Sequence, residues 1–157
     1  MRILVISDSH KKGATVDRII RSNPDAKHIF FLGDHTGDIE DLTYEYTDRI
    51  FHIVRGNCDG FCDYPLYDIV KLEGISILYA HGHTFDVKYG INRLKEFAKN
   101  CECNIALYGH THKSDISYRD GIYIVNPGSC ASSREGADSY AVIDILKSGI
   151  LPQIKKV

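Results

Sequence analysis

Asn104-Ile105-Ala106-Leu107-Tyr108-Gly109-His110-Thr111-His112 is the stretch from which the rest of the chain can be read. An apolar run meets a glycine, and two histidines follow, two positions apart. If the run continued as a strand, both rings would face one side, because strand side chains alternate. In a loop they could also converge on one point. Imidazole is a common ligand of divalent transition ions, so either arrangement suits a metal. Two solvated loop histidines are the competing reading, and this stretch alone does not separate the two.

Working outward, the same pattern recurs at four earlier points. Val5-Ile6 leads to Asp8 and His10, and Phe31-Leu32 leads to Asp34. Ile53-Val54 leads to Asn57, and Leu78-Tyr79 leads to His81. Sites in open α/β sheets form at the carboxyl ends of strands. Gly33, Gly56 and Gly109 each stand just before a candidate ligand, where a glycine lets the backbone turn sharply. One Gly-Asp is usually a turn, and one Asn-x-Asp is usually a capped loop. Five such endings together are not accounted for in that way.

The elements follow from periodicity and turn signals. Continuous apolar runs predict strands over 3–6, 28–32, 50–54 and 104–108. Helical spacing of Val16, Ile19 and Ile20 predicts a helix over 14–22, stopped by Asn23-Pro24. A second helix is expected over 38–45, with an acidic first turn that suits the helix dipole. A third is expected over 92–99, with Leu94, Phe97 and Ala98 on one face. Strand pairs are expected at 66–72 with 75–80, at 115–119 with 122–126, and at 140–146 with 150–155. Asp120-Gly121 and Ser148-Gly149 mark the last two as hairpins. Early strands alternate with helices and late strands pair with each other, which predicts two packed sheets flanked by helices. No linker or repeat interrupts residues 1–157, so a single domain is expected.

Bulk properties limit the function classes. Hydrophobic content of 43% and charged content of 25% are ordinary for a globular chain. A net charge of −2 gives no electrostatic case for nucleic-acid or membrane-surface binding, so an anionic substrate has to be attracted locally. No apolar stretch is long enough to span a bilayer, and Met1–Asp8 is too short for a signal peptide. Cysteines number five, at 58, 62, 101, 103 and 130, without the spacing of a structural zinc site. They read as unpaired thiols in a reducing cytoplasm.

Asp8-x-His10, Gly33-Asp34, Gly56-Asn57-x-Asp59, His81-Gly82 and Gly109-His110-x-His112 resemble, in order, the motifs of the calcineurin-like metallophosphoesterases. Asn126-Pro127-Gly128-Ser129 resembles a motif of their small single-domain bacterial and archaeal phosphodiesterase branch. The resemblance implies an α/β fold of the α+β type, a four-layer αββα sandwich of two mixed β-sheets flanked by helices. It implies two divalent ions: Asp8, His10 and His112 on the first, Asn57, His81 and His110 on the second, and Asp34 bridging both. It also implies hydrolysis of a small phosphoester, as a phosphodiesterase, by a metal-bridging hydroxide. Two divalent ions bring +4 and the two aspartates −2, so such a centre keeps +2 and binds phosphate without a basic protein surface. Its bridging water is acidified from about 15.7 towards neutrality. The ligands are O and N donors without thiolate, which suits manganese, iron, nickel, cobalt or zinc better than copper(I) or calcium. The resemblance favours manganese.

The chain departs from the family pattern at Cys58, where many members carry a histidine thought to protonate the leaving group. A thiol of pKa near 8.5 is a poor donor to a departing alkoxide, so good leaving groups should be favoured. His35 and His83 are the candidates to replace that acid, with second-rank or solvated roles as the alternative for each. Asp59, which would support the absent histidine, is assigned a supporting role behind the ligands. Arg134 reads as solvated, with phosphate contact as the alternative. His28 and His52 read as structural. A protein-binding scaffold on the same fold, as in the retromer subunit that resembles this family, is the competing function, and a phosphomonoesterase is the third. All seven ligand positions hold residues able to coordinate, which favours an enzyme. A homo-oligomer is left open.

Overall fold

The computed structural model describes residues 1–157. Its first sheet runs in the order β10-β9-β1-β2-β3, built from β1 (Arg2–Ile6), β2 (Ala26–Phe31), β3 (Ile50–Ile53), β9 (Ser139–Leu146) and β10 (Gly149–Lys156). The second runs β4-β5-β6-β8-β7, from β4 (Tyr67–Leu72), β5 (Ile75–Ala80), β6 (Ile105–Leu107), β7 (Ser114–Arg119) and β8 (Ile122–Pro127). Each sheet has three parallel strands, β1-β2-β3 at one side of the first and β5-β6-β8 in the middle of the second. Antiparallel strands complete both: β9 and β10 in the first, β4 and β7 in the second.

Three apolar cores separate four layers. Helices α1 (Gly13–Arg21) and α2 (Gly37–Glu45) pack Val16, Ile19, Ile20, Ile39 and Leu42 onto Leu4, Ile6, Ile29 and Phe31 of the first sheet. The opposite faces of the same strands, Ile3, Val5 and Phe30, meet Ile77, Tyr79, Ile105 and Leu107 of the second sheet. Helix α3 (Asn92–Asn100) lays Leu94 and Ala98 over Leu78, Ala106 and Ile124. This is the expected αββα sandwich. Strand β1 is buried on both faces, which is why it reads as an unbroken apolar run instead of an alternating one.

Element bounds differ from the expected ones by a residue or two. Leu32 and Val54 are fully buried but lie just beyond their strands, where the chain already bends towards the site. A 3-10 turn at His83–Phe85 carries no periodicity and was not expected. His28 and His52 face each other across β2 and β3, with ring nitrogens 3.0 Å apart, and His52 stacks on Phe30. No helix is long and apolar enough to cross a membrane.

Candidate metal centre

The loops that follow β1, β2, β3, β5 and β6 meet at one edge of the sandwich. They turn so abruptly that Asp8, His10, Asp34, His35, His110 and His112 all adopt positive φ, between 46° and 79°. Non-glycine residues enter that region at a cost and cluster at functional sites. The surroundings hold them there. Ser129 Oγ donates to the Asp8 carbonyl at 2.7 Å, and His110 N–H donates to Asp8 Oδ2 at 3.1 Å. The Asp59 carboxylate accepts four backbone N–H groups, from Asp34, His35, Thr36 and Gly56, at 2.7–2.8 Å. Cys58 N–H donates to Asp34 Oδ1 at 2.9 Å. Two glycines are required by contact. A Cβ on Gly56 would lie 2.1 Å from Asp34 Oδ1, and one on Gly109 would lie 2.1 Å from Ser7 Oγ.

Two groups of donor atoms result, on either side of Asp34. One ligand atom each from Asp8, His10, Asp34 and His112 fall within 4.8 Å of one another. His112 Nε2 lies 3.1 Å from His10 Nε2 and 3.2 Å from Asp8 Oδ1. On the other side, His81 Nε2 lies 3.1 Å from His110 Nδ1, 3.2 Å from Asn57 Oδ1 and 3.4 Å from Asp34 Oδ1. The second Asp34 oxygen, Oδ2, points the other way, 4.0 Å from His10 Nε2.

Backbone carbonyls set the tautomers. His81 Nδ1 donates to Leu32 O at 2.7 Å, and His112 Nδ1 donates to Ser132 O at 2.8 Å. A neutral ring that donates from Nδ1 keeps its lone pair on Nε2, and in both rings that atom faces the centre. Asp8 Oδ1 is buried with no hydrogen-bond partner. Lone pairs and an unsatisfied carboxylate oxygen converging on one space call for a cation, and the O/N donor set fits a divalent transition ion. Burial pushes His10 down, and burial followed by His81 and Lys88 pushes His110 down to about 4, so both rings are neutral near pH 7. The Asp8 carboxylate beside it pulls His112 the other way, upward.

The remaining predicted residues flank this centre. The His35 ring lies edge-on to His10 at 5.6 Å. The His83 ring lies 5.4 Å from His81 and 6.1 Å from His110, and its buried Nδ1 has no partner. Desolvation first, then Asp34, pushes the Cys58 thiol up to about 11, so it is a neutral thiol and a weaker acid than a free one. Asp59 ties together the loops after β2 and β3, a larger role than backing a single histidine.

Three residues that hold the ligands were given no role by the sequence. Ser7 Oγ donates to Asp8 Oδ2 at 2.5 Å. Buried Asn126 donates to Gly109 O and Thr111 Oγ1, at 3.1 and 3.0 Å, and fixes the loop between the two histidines. Ser129 is fully buried and bonds the Asp8 carbonyl. Asn126-Pro127-Gly128-Ser129 stood out only as a turn and a family-like motif, with no role for its side chains.

A family model described as the calcineurin-like phosphoesterase superfamily domain matches residues 1–148. The chain is 26% identical over 146 residues to the probable metallophosphoesterase YsnB of Bacillus subtilis, covering 92% of this chain and 85% of that one. It is 27% identical over 168 aligned positions to the phosphodiesterase YfcE of Escherichia coli, covering 92% and 88%. The crystal structure of a predicted phosphoesterase from Streptococcus pneumoniae superposes with a TM-score of 0.84 at 27% identity, covering 99% of this chain and 88% of that one.

Proposed function

The chain belongs to the calcineurin-like phosphoesterase superfamily, metal-dependent hydrolases of phosphoric esters, and from that footing we propose that it is a phosphodiesterase working with two divalent ions. One observation carries the reading: imidazole nitrogens with fixed lone pairs gather on both sides of a buried carboxylate, whose two oxygens point to opposite groups. Asp8, His10 and His112 would hold one ion, Asn57, His81 and His110 the other, and Asp34 would bridge them. When bound, such ions supply the positive charge that holds a phosphate anion and acidify a water for attack on phosphorus.

The chain's own groups then do the rest. Leu32 O and Ser132 O keep His81 and His112 aimed inward. Asp59 holds the loops carrying Asp34 and Asn57 in register. The neutral Cys58 thiol is a poor proton source, so turnover favours leaving groups that depart without protonation. His35 and His83, on opposite sides of the centre, are the residues placed to assist poorer ones. The family resemblance favours manganese, and the O/N donor set suits nickel, iron, cobalt or zinc as well. Five free thiols support a reducing, cytoplasmic setting. The substrate is a small phosphoester, since the net charge of −2 offers no broad basic surface for a nucleic acid.

The test is an assay of metal-stripped protein against bis-p-nitrophenyl phosphate and p-nitrophenyl phosphate, with Mn²⁺ or Ni²⁺ added back. Metal-dependent turnover that is faster on the diester is expected. Faster turnover of the monoester would make the protein a phosphomonoesterase. No turnover with any metal by folded protein would turn the reading into a non-catalytic scaffold.

A further inference from the structure

Next to the candidate centre lies a cavity of about 490 Å³, open to solvent and lined among others by Thr111, Lys88, Lys113, Arg134, Asp115 and Glu135. Thr111 stands between the two histidines, so cavity and centre share a wall. Arg134 is tied to the same loop by its backbone N–H, which donates to the His112 carbonyl at 3.1 Å. Lys88 approaches from the other side, near enough for its charge to act on the His110 ring. Two cations therefore flank the centre, one beside each histidine of the pair.

Their charges are not used within the protein. Lys113 is neutralised by its ion pair with Glu135, whereas Lys88 and Arg134 enter no ion pair. Asp115 is the one other carboxylate of the lining, and it forms no ion pair with either cation. Free cations are ordinary on a surface. Here they converge on one concave space that opens beside a centre built to hold a phosphate. A guanidinium and an ammonium in such a space are matched by a second phosphate, which accepts charge-assisted hydrogen bonds from both.

We propose that Lys88 and Arg134 bind a second phosphate of the substrate, so that the preferred substrate is a phosphodiester carrying a further phosphate group, as in a nucleoside bisphosphate ester. This rests on the phosphodiesterase reading and adds the substrate class. Lys88 and Arg134 act on binding, and the reacting phosphorus stays at the centre. Their loss therefore raises KM for the substrate that carries the further phosphate and leaves its kcat nearly unchanged.

The experiment compares two chromogenic diesters in Mn²⁺: the p-nitrophenyl ester of thymidine 5′-phosphate, with and without a 3′-phosphate. In the wild type the extra phosphate is expected to raise kcat/KM about tenfold or more, the order of one charge-assisted contact. The double variant Lys88→Gln with Arg134→Gln should bring that ratio close to one through KM, and Lys88→Arg with Arg134→Lys should retain it. A wild-type ratio of one or below would overturn the proposal, as would a double variant that keeps the wild-type ratio. Failure of the wild type to turn over either ester with any metal is a separate result, which defeats the phosphodiesterase reading and the proposal with it.

Discussion

Replacing Ser129 by alanine removes one oxygen that is fully buried and fully used. Ser129 Oγ donates to the Asp8 carbonyl at 2.7 Å and accepts from Ala131 N–H at 3.2 Å and Ser132 N–H at 2.7 Å. The alanine fits the space, so the cost is that of three backbone groups left without a partner. Buried hydrogen bonds contribute about 1 kcal/mol each net, so Ser129→Ala should destabilise the metal-free protein by about 3 kcal/mol. The same loop carries Ser132 O, which orients His112, so metal affinity should fall roughly tenfold as well. Urea unfolding at pH 7 in chelator measures the first effect, and calorimetric titration with Mn²⁺ the second. Ser133→Ala is the control. Its hydroxyl bonds only exposed loop backbone, and the change should stay within about 0.5 kcal/mol. A Ser129→Ala variant as stable as that control would refute the reasoning.

Other perturbations give equally definite outcomes. Gly56→Ala would drive its Cβ to 2.1 Å from Asp34 Oδ1 and 2.6 Å from Asp34 N, so it should cost about 2 kcal/mol and one equivalent of metal, by unfolding and metal analysis. Burial followed by His28 depresses His52 to about 4 against an unfolded value near 6.5, so the unfolded state binds the extra proton. Its contribution is present above pH 6.5 and is lost as pH falls towards 4, which amounts to about 1 kcal/mol between pH 7 and pH 5 after solvent screening of the partly exposed ring. Urea midpoints of metal-free wild type should show that slope, and His52→Gln should flatten it; equal slopes would exclude His52 as its source. Aryl diesters should outpace alkyl diesters steeply, Cys58→Ser should keep most aryl activity, and Cys58→His should raise alkyl turnover on the scale of about 10²-fold that a general acid supplies. An unchanged rate ratio in Cys58→His would mean the thiol is not what limits poor leaving groups.

The fold was legible where one residue decides its own surroundings. Strand β1 had to be a continuous apolar run, because Ile3 and Val5 face the other sheet while Leu4 and Ile6 face the helices. The turn at Asp120-Gly121 was legible because both residues take positive φ, which few other pairs accept. Strand order was not legible. β9 lies beside β1, with Val5 opposite Ala141, and β8 leaves its chain neighbour β9 to pair with β6 in the other sheet. The first pairing joins residues more than a hundred positions apart, and the second passes over the intervening strand β7, and no local pattern encodes either. At the site, the candidate ligands were legible because each follows a strand end and has metal-binding chemistry of its own. What holds them was hidden for the opposite reason. Leu32 O and Ser132 O are backbone atoms with no side-chain signature, and the motif holding Asn126 and Ser129 does not say which backbone groups their side chains bond.

The central claim is that one carboxylate, Asp34, joins two metal sites. Its most direct measurement is the number of Mn²⁺ ions retained per chain by the wild type and by Asp34→Ala, read by metal analysis after equilibrium dialysis and checked by titration calorimetry. Two equivalents for the wild type and no more than one for Asp34→Ala are predicted. A wild type that saturates at one equivalent, or an Asp34→Ala variant that still holds two, would contradict it.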